Sequence, residues 1–104
     1  MKKISPIKII DCTFRDGGYY NNWDFDIDLT NRYINCLESS NVKYIEIGFR
    51  FLKNNTFFGP FAYTSDNFLK HLRVKKTTKL VVMINGSDFF GSRSFIKKRI
   101  DSLF

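Results

Sequence analysis

The sequence is organised around one stretch, Ile9-Ile10-Asp11-Cys12-Thr13-Phe14-Arg15-Asp16-Gly17-Gly18-Tyr19. It begins as an apolar run and ends in an arginine–aspartate pair followed by two glycines. This pattern predicts a short buried strand over residues 7–13 that stops at charged side chains and a glycine turn. Enzymes built on parallel strands carry their reacting groups where the strands end, and a glycine turn lets a substrate approach the backbone.

The next part of the chain predicts a loop over residues 19–26 and then a helix over residues 28–40. Asp26 or Asp28 can cap the first turn of this helix, and Asn41 can end it in a left-handed conformation. Apolar side chains recur there at the spacing of one helix face, at Leu29, Tyr33, Cys36 and Leu37.

A second strand is predicted over residues 42–49 because its side chains alternate in character. Ile45, Ile47 and Phe49 would face covering helices. Glu46 would lie on the opposite face, together with Val42, Tyr44 and Gly48. In a closed parallel barrel that face is the interior.

The remaining residues predict one more strand and two more helices. Residues 50–63 form a long aromatic loop that either packs onto the body of the protein, which we favour, or closes over a ligand. Thr64 or Ser65 then caps a helix that runs to about Arg73. Residues 79–85 predict a third strand, ended by Gly86-Ser87, and residues 94–103 predict a third helix.

The predicted order is therefore β-α-β-α-β-α over residues 1–104, in one domain. Strands that alternate with helices and are apolar on both faces indicate a parallel sheet covered by helices. Three such strands leave two open edges. We therefore expect an α/β chain that is a fragment of a larger barrel, truncated after about three βα units.

The net charge is +7, from 17 Lys+Arg and 10 Asp+Glu. The excess lies in residues 70–79 and 93–99, where no nucleic-acid motif accompanies it, so solvated helix faces are the favoured interpretation and no nucleic acid is expected. No apolar run approaches the roughly 20 residues of a membrane helix. Met1-Lys2-Lys3 resembles the start of a signal peptide, but Pro6 and Lys8 interrupt the apolar stretch that follows.

The cysteines, Cys12 and Cys36, are far apart and have no metal-binding spacing. Each is expected to be a buried free thiol, which favours a reducing, cytoplasmic location.

Three charged residues could carry chemistry. Arg15 and Asp16 follow the first strand and Glu46 lies near the end of the second, so all three can meet at one edge of a parallel sheet. Asp16 could bind Mg²⁺ or Mn²⁺, Arg15 could stabilise an enolate oxygen, and Glu46 could orient Arg15 or relay a proton. The alternative is structural: an Arg15–Glu46 ion pair beside a turn formed by Asp16-Gly17.

Residues 11–19 resemble the motif that opens the barrel in the HMG-CoA lyase-like, or DRE-TIM metallolyase, family, which includes the pyruvate carboxyltransferase-type domains. The continuations are most similar to its 4-hydroxy-2-oxovalerate aldolase branch. They read Tyr20-Asn21-Asn22-Trp23-Asp24-Phe25 and Tyr44-Ile45-Glu46-Ile47-Gly48-Phe49-Arg50-Phe51. The resemblance covers roughly residues 8–85 and rests on these two motifs.

The resemblance implies that this α/β chain is the N-terminal part of an aldolase-type TIM barrel, an incomplete barrel. It also implies a lyase with Arg15 and Glu46 among its catalytic residues. Asp16 would bind its metal, Mn²⁺ or Mg²⁺, and Asp11 would have a supporting role. Its substrate would be a small 2-oxo acid, cleaved through a pyruvate-type enolate. The aldolases carry a histidine base where this sequence has Tyr19.

The family's metal also requires a His-x-His pair, whereas the single histidine here is His71, predicted on a solvated helix. We therefore expect the 104-residue chain alone to bind metal weakly or not at all and to be inactive, or to be active only with a complementing C-terminal fragment. The alternative is a non-catalytic α/β interaction module or a degenerate truncated product.

Overall fold

The computed structural model describes residues 7–52 and 57–104 and shows a mixed α/β fold. A three-stranded parallel sheet has the order β1-β2-β3. Its strands are β1 (Ile10–Asp11), β2 (Tyr44–Phe49) and β3 (Lys79–Met83). The helices are α1 (Thr13–Asn21), α2 (Ile27–Ser39), α3 (Asp66–Leu69) and α4 (Arg93–Leu103), with 3-10 turns at Pro60–Ala62 and Gly86–Phe89. The predicted α/β class with parallel strands is confirmed.

The sheet adds each new strand beside the previous one, so β2 is central and β1 and β3 are the edges. Consecutive strands are therefore neighbours, as they are around a βα barrel. The carboxyl ends of the three strands consequently lie along one edge of the sheet.

Local capping signals are confirmed at three helix ends. The Asp26 carboxylate accepts a hydrogen bond from the Leu29 amide at 2.9 Å, and Ser65 accepts one from the Phe68 amide at 3.2 Å. Asn41 has φ 63°, the left-handed conformation predicted for the residue that follows α2.

The core surrounds β2, where Ile45 and Ile47 are fully buried. Phe61, from the aromatic loop, is also fully buried; its ring stacks on that of Phe14 at 5.5 Å and meets that of Phe25 edge-on at 5.0 Å. The packing interpretation of this loop is thus supported, although residues 53–56 lie outside the described residues.

The first predicted strand is much shorter than expected, and the predicted glycine turn is wrong. The predicted loop is confirmed only over residues 22–26, because residues 19–21 belong to a helix. Residues 13–21 form α1, so Gly17 and Gly18 lie inside a helix. The isoleucines before residue 10 favour a longer strand in the sequence. In the structure, however, Ile7 and Ile9 are 88% and 60% exposed. Tertiary contacts, described below, outweigh the poor helix propensity of the two glycines.

The predicted alternation of β2 breaks at Ile47. Pairing with β3 passes from Glu46↔Val81 to Gly48↔Val82, so Ile47 is an extra, unpaired residue. A Cβ on Gly48 would overlap the Phe61 carbonyl oxygen, whereas Glu46 contacts Arg15. The two residues predicted to share one face therefore contact different parts of the chain.

Smaller differences concern lengths and burial. The second predicted helix ends at Leu69 rather than near residue 73, and the third strand ends at Met83. Cys36 is exposed and Cys12 is partly buried, so the expectation of two buried thiols is wrong for Cys36. The signal-peptide question concerns residues 1–6, which lie outside the described residues. Within residues 7–52 and 57–104, no helix combines the length and hydrophobicity needed to cross a membrane.

Candidate active site

The candidate site is centred on Arg15, in the first turn of α1, and Glu46, in β2. Arg15 Nε donates a hydrogen bond of 2.8 Å to Glu46 Oε2. The two side chains are 24% and 10% exposed, so the ion pair is largely shielded but still reachable from solvent. The predicted meeting of these two residues is therefore observed; it lies just beyond the carboxyl end of β1 and beside the middle of β2.

Asp16 lies beside this pair but faces solvent. Its Oδ1 is 3.3 Å from Arg15 Nη1, and its side chain is 65% exposed. The structure thus brings Arg15 and Glu46 into direct contact and leaves Asp16 at the rim, in contact with Arg15.

Trp23 holds the backbone of the site from the opposite end of α1. Its indole Nε1–H donates a 3.0 Å hydrogen bond to the carbonyl oxygen of Arg15. The indole is 4% exposed and lies where any side chain on Gly18 would be, so the glycine is required by close packing. The sequence prediction missed this role of Trp23. The signal in the sequence was the presence of Gly18 shortly before the single tryptophan.

A hydrogen-bonded triad of Asp11, Thr13 and Tyr33 holds the first turn of α1. Asp11 Oδ1 accepts from the Thr13 amide at 3.1 Å, and Asp11 Oδ2 accepts from the Tyr33 hydroxyl at 2.9 Å and from Thr13 Oγ1 at 3.1 Å. Thr13 Oγ1 and the Tyr33 hydroxyl are also 3.0 Å apart. The sequence prediction gave Asp11 only a supporting role and placed Tyr33 simply on an apolar helix face.

The Arg15–Glu46 ion pair also affects the pKa of the Cys12 thiol. The pKa of its thiol is raised, chiefly by a hydrogen bond with the Glu46 carboxylate, while Arg15 opposes the shift. The pKa of Arg15 is also raised, first by its hydrogen bond with Cys12 and then by Glu46. Cys12 therefore stays protonated near neutral pH, and Arg15 stays charged.

The residues described here do not by themselves fit the divalent metal that the family resemblance implies. Mg²⁺ and Mn²⁺ bind several oxygen ligands. The site offers the Asp16 carboxylate, which is beside the positive charge of Arg15, and the Glu46 carboxylate, which is already paired with Arg15. In residues 7–52 and 57–104, no group of three or more His, Cys, Asp or Glu side chains could hold a metal ion. His71 lies exposed in a turn after α3, rather than on the predicted helix.

Tyr19, which stands where the resembled aldolases carry a histidine, lies near the end of α1. Its ring meets that of Trp23 edge-on with centroids 4.8 Å apart, and the residue is 66% exposed. The phenol is therefore accessible from solvent beside the candidate site.

The comparisons with known proteins support this fold. A crystal structure described as "the N-terminal domain of a putative aldolase from Bacteroides vulgatus" matches 93% of this chain with a TM-score of 0.74 and 37% sequence identity. The match covers 33% of that chain, so the present chain spans about one third of its length. No protein-family model matches the sequence, and no curated protein matches it. The three-stranded α/β chain thus corresponds to an N-terminal part of an aldolase-like fold.

Proposed function

We propose that this chain supplies the first part of the active site of a metal-dependent lyase in the HMG-CoA lyase-like family, which cleaves a carbon–carbon bond next to a 2-oxo acid. The observation that carries the proposal is the Arg15–Glu46 ion pair, which lies just beyond the carboxyl end of β1 in a parallel sheet. The likeness to a protein described as an aldolase supports the same class.

In this proposal Arg15 stabilises negative charge. When the bond breaks, its electron pair forms the enolate of pyruvate, the substrate hydroxyl loses its proton to a base, and an aldehyde leaves. Glu46 accepts the Nε–H of Arg15, so the guanidinium would present its Nη groups to the enolate oxygen. Because Glu46 lies on the central strand, it fixes the direction of that charge before the reaction begins.

A divalent ion, Mn²⁺ or Mg²⁺, would supply further polarisation of the substrate carbonyl. Since Asp16 is one carboxylate among the several ligands such an ion needs, we assign the other ligands to residues beyond those described here. The chain alone is then expected to lack turnover.

The sheet edges indicate what would complete the site. Parallel sheets are normally covered on both faces and continued at both edges, yet Ile9 and Ile10 at β1 are 60% and 46% exposed, and Ile84 after β3 is 36% exposed. A complementing C-terminal segment that adds parallel strands would cover these residues and bring its own polar side chains to the same edge.

The decisive experiment combines this chain with the unmatched two thirds of the crystallised Bacteroides vulgatus domain. With 4-hydroxy-2-oxovalerate and Mn²⁺ as probes, pyruvate release is measured for each piece alone and for the mixture. We expect release only from the mixture, and its loss in Arg15→Lys but not in the distant control Arg32→Lys. Release from the 104-residue chain alone would overturn the expected inactivity. A stable complex without release would refute the catalytic proposal.

A second candidate is an interaction module without catalysis, which the same exposed apolar edge favours. It predicts a complex whose affinity falls when Ile10 is changed to lysine and stays unchanged in Arg15→Lys. Titration calorimetry with the complementing segment distinguishes the two candidates, because the catalytic proposal requires turnover and this one does not.

A further inference from the structure

We propose that Tyr33 and Asp11 are positioning residues for Arg15, because they fix the first turn of α1 and thereby hold the guanidinium on Glu46. This inference rests on the proposed function, in which the direction of the Arg15 guanidinium matters. Neither side chain is assigned a contact with substrate.

The helix that carries Arg15 is intrinsically weak. α1 has nine residues and contains Gly17 and Gly18, each of which costs about 1 kcal/mol relative to alanine in a helix interior. Its N-cap residue, Cys12, makes no side-chain capping hydrogen bond. Isolated helices of this length are marginal, so contacts from outside must hold α1 in place.

Asp11 provides the missing cap from one residue earlier. Its Oδ1 accepts from the Thr13 amide at 3.1 Å, which satisfies one of the unpaired amides of the first turn. A carboxylate at this end of a helix also interacts favourably with the helix dipole. The cap is effective only while the carboxylate is held in this orientation.

Tyr33 holds that carboxylate from a second helix. Its hydroxyl donates to Asp11 Oδ2 at 2.9 Å, and its ring packs edge-on against Phe14 with centroids 5.4 Å apart. The next residue of α2, Ile34, is fully buried, so Tyr33 is attached to the core. One side chain thus ties both the cap and the first turn of α1 to a fixed element.

Arg15 lies within this first turn, as the third residue of α1. Its partner Glu46 is held independently, in the central strand. If the triad is broken, the arginine side of the ion pair should therefore become mobile while the glutamate side remains in place.

The test uses Tyr33→Phe, which removes one hydroxyl and keeps the ring, with Tyr63→Phe as the matched control. Exchange of the Arg15 Nε–H with water is measured by NMR in the whole chain, together with exchange of the β2 amides. We expect Arg15 Nε–H exchange to become about tenfold faster in Tyr33→Phe, as for the loss of one hydrogen bond, and to be unchanged in the control. Exchange of the β2 amides should not change.

Asp11→Asn provides the second variant, and it should have the same effect on Arg15 as Tyr33→Phe. Combining the two changes should add little, because both act through one contact. Unchanged Arg15 exchange in either folded variant, or equal acceleration of Arg15 and β2, would overturn the positioning role. Exchange of the Arg15 Nε–H is measured without turnover. Failure of the lyase proposal would appear as absent pyruvate release, whereas failure of the positioning role would appear as unchanged Arg15 exchange.

Discussion

The indole ring of Trp23 fills the space that a side chain on Gly18 would need. A Cβ at residue 18 would overlap three indole atoms, and the indole also donates to the Arg15 carbonyl oxygen. We therefore expect Gly18→Ala to lower the free energy of unfolding by about 1–3 kcal/mol, against the intrinsic helix preference for alanine. Since Trp23 is the one tryptophan in the sequence, its fluorescence during urea unfolding measures this change directly.

Gly17→Ala is the matched control in the same helix. A Cβ there would meet Phe25 Cζ at 3.3 Å, a tight contact that a small ring movement relieves. We expect a change of less than about 1 kcal/mol, because this contact opposes the gain in helix propensity. Equal stability of Gly18→Ala and the unchanged chain would contradict the packing of Trp23.

The Arg15–Glu46 ion pair should contribute more to stability than a surface pair. With one partner 24% and the other 10% exposed, removing Glu46 leaves a partly shielded positive charge. We expect Glu46→Gln to destabilise the chain by about 1–3 kcal/mol, and a double-mutant cycle with Arg15→Met to show coupling above about 1 kcal/mol. Urea unfolding of the four proteins measures this coupling.

Lys97 and Asp101 offer the control cycle. They are one helical turn apart in α4, 77% and 62% exposed, with a separation of 2.8 Å that equals that of the candidate pair. Their coupling should be about 0.3–0.5 kcal/mol. If both cycles gave the same value, shielding would not strengthen the Arg15–Glu46 contact.

The elements predicted well are those whose signal is local. α2 begins after Asp26, which caps it, as predicted. Its predicted buried face was wrong in part, because Thr30 and Ile34 are buried whereas Leu29 and Cys36 are exposed. β2 was predicted from its alternating side chains and β3 from an apolar run. The meeting of Arg15 with Glu46 was also predictable, because it needs only parallel strands and residues near their carboxyl ends.

The elements predicted badly depend on distant partners. α1 contains a glycine pair that locally favours a turn, and it is helical because Trp23 and Tyr33 hold its two ends. The bulge at Ile47 and the outward direction of Asp16 likewise follow from three-dimensional packing. No periodicity of the sequence contains this information.

Arg50 should control the attachment of α4. Its guanidinium, in a side chain that is 9% exposed, donates to the Thr64 and Leu103 carbonyl oxygens at 3.1 and 2.7 Å and to Asp66 at 2.8 Å. Lysine cannot reproduce this fork of donors. We expect Arg50→Lys to speed amide hydrogen exchange in α4 by about tenfold or more.

The control for this variant is Arg32→Lys on α2, which should leave exchange in α4 unchanged. Exchange in β2 should change less than exchange in α4, because the hydrogen bond to Leu103 is the one that reaches this helix. Equal exchange in α4 before and after Arg50→Lys would show that other contacts hold the helix.

Stability should fall at alkaline pH because the site holds protons more tightly when it is folded. The pKa of the Cys12 thiol is raised, mainly by the Glu46 hydrogen bond. The pKa of the Tyr33 phenol is also raised: its hydrogen bond with Thr13 lowers it, but burial and the bond to Asp11 together outweigh that effect. Above the ordinary thiol and phenol values, of about 8.5 and 10, the unfolded chain loses these protons first.

The folded state then binds more protons than the unfolded state, so the free energy of unfolding decreases as the pH rises through and above those values. Below about pH 8, both groups are protonated in both states and contribute no slope. We expect Cys12→Ser to flatten the first part of the alkaline decline and Tyr33→Phe the later part, with Cys36→Ser as the control. Urea unfolding between about pH 7 and 11 measures the slopes, and a decline of the same steepness in Cys12→Ser and Cys36→Ser would contradict the assignment to Cys12.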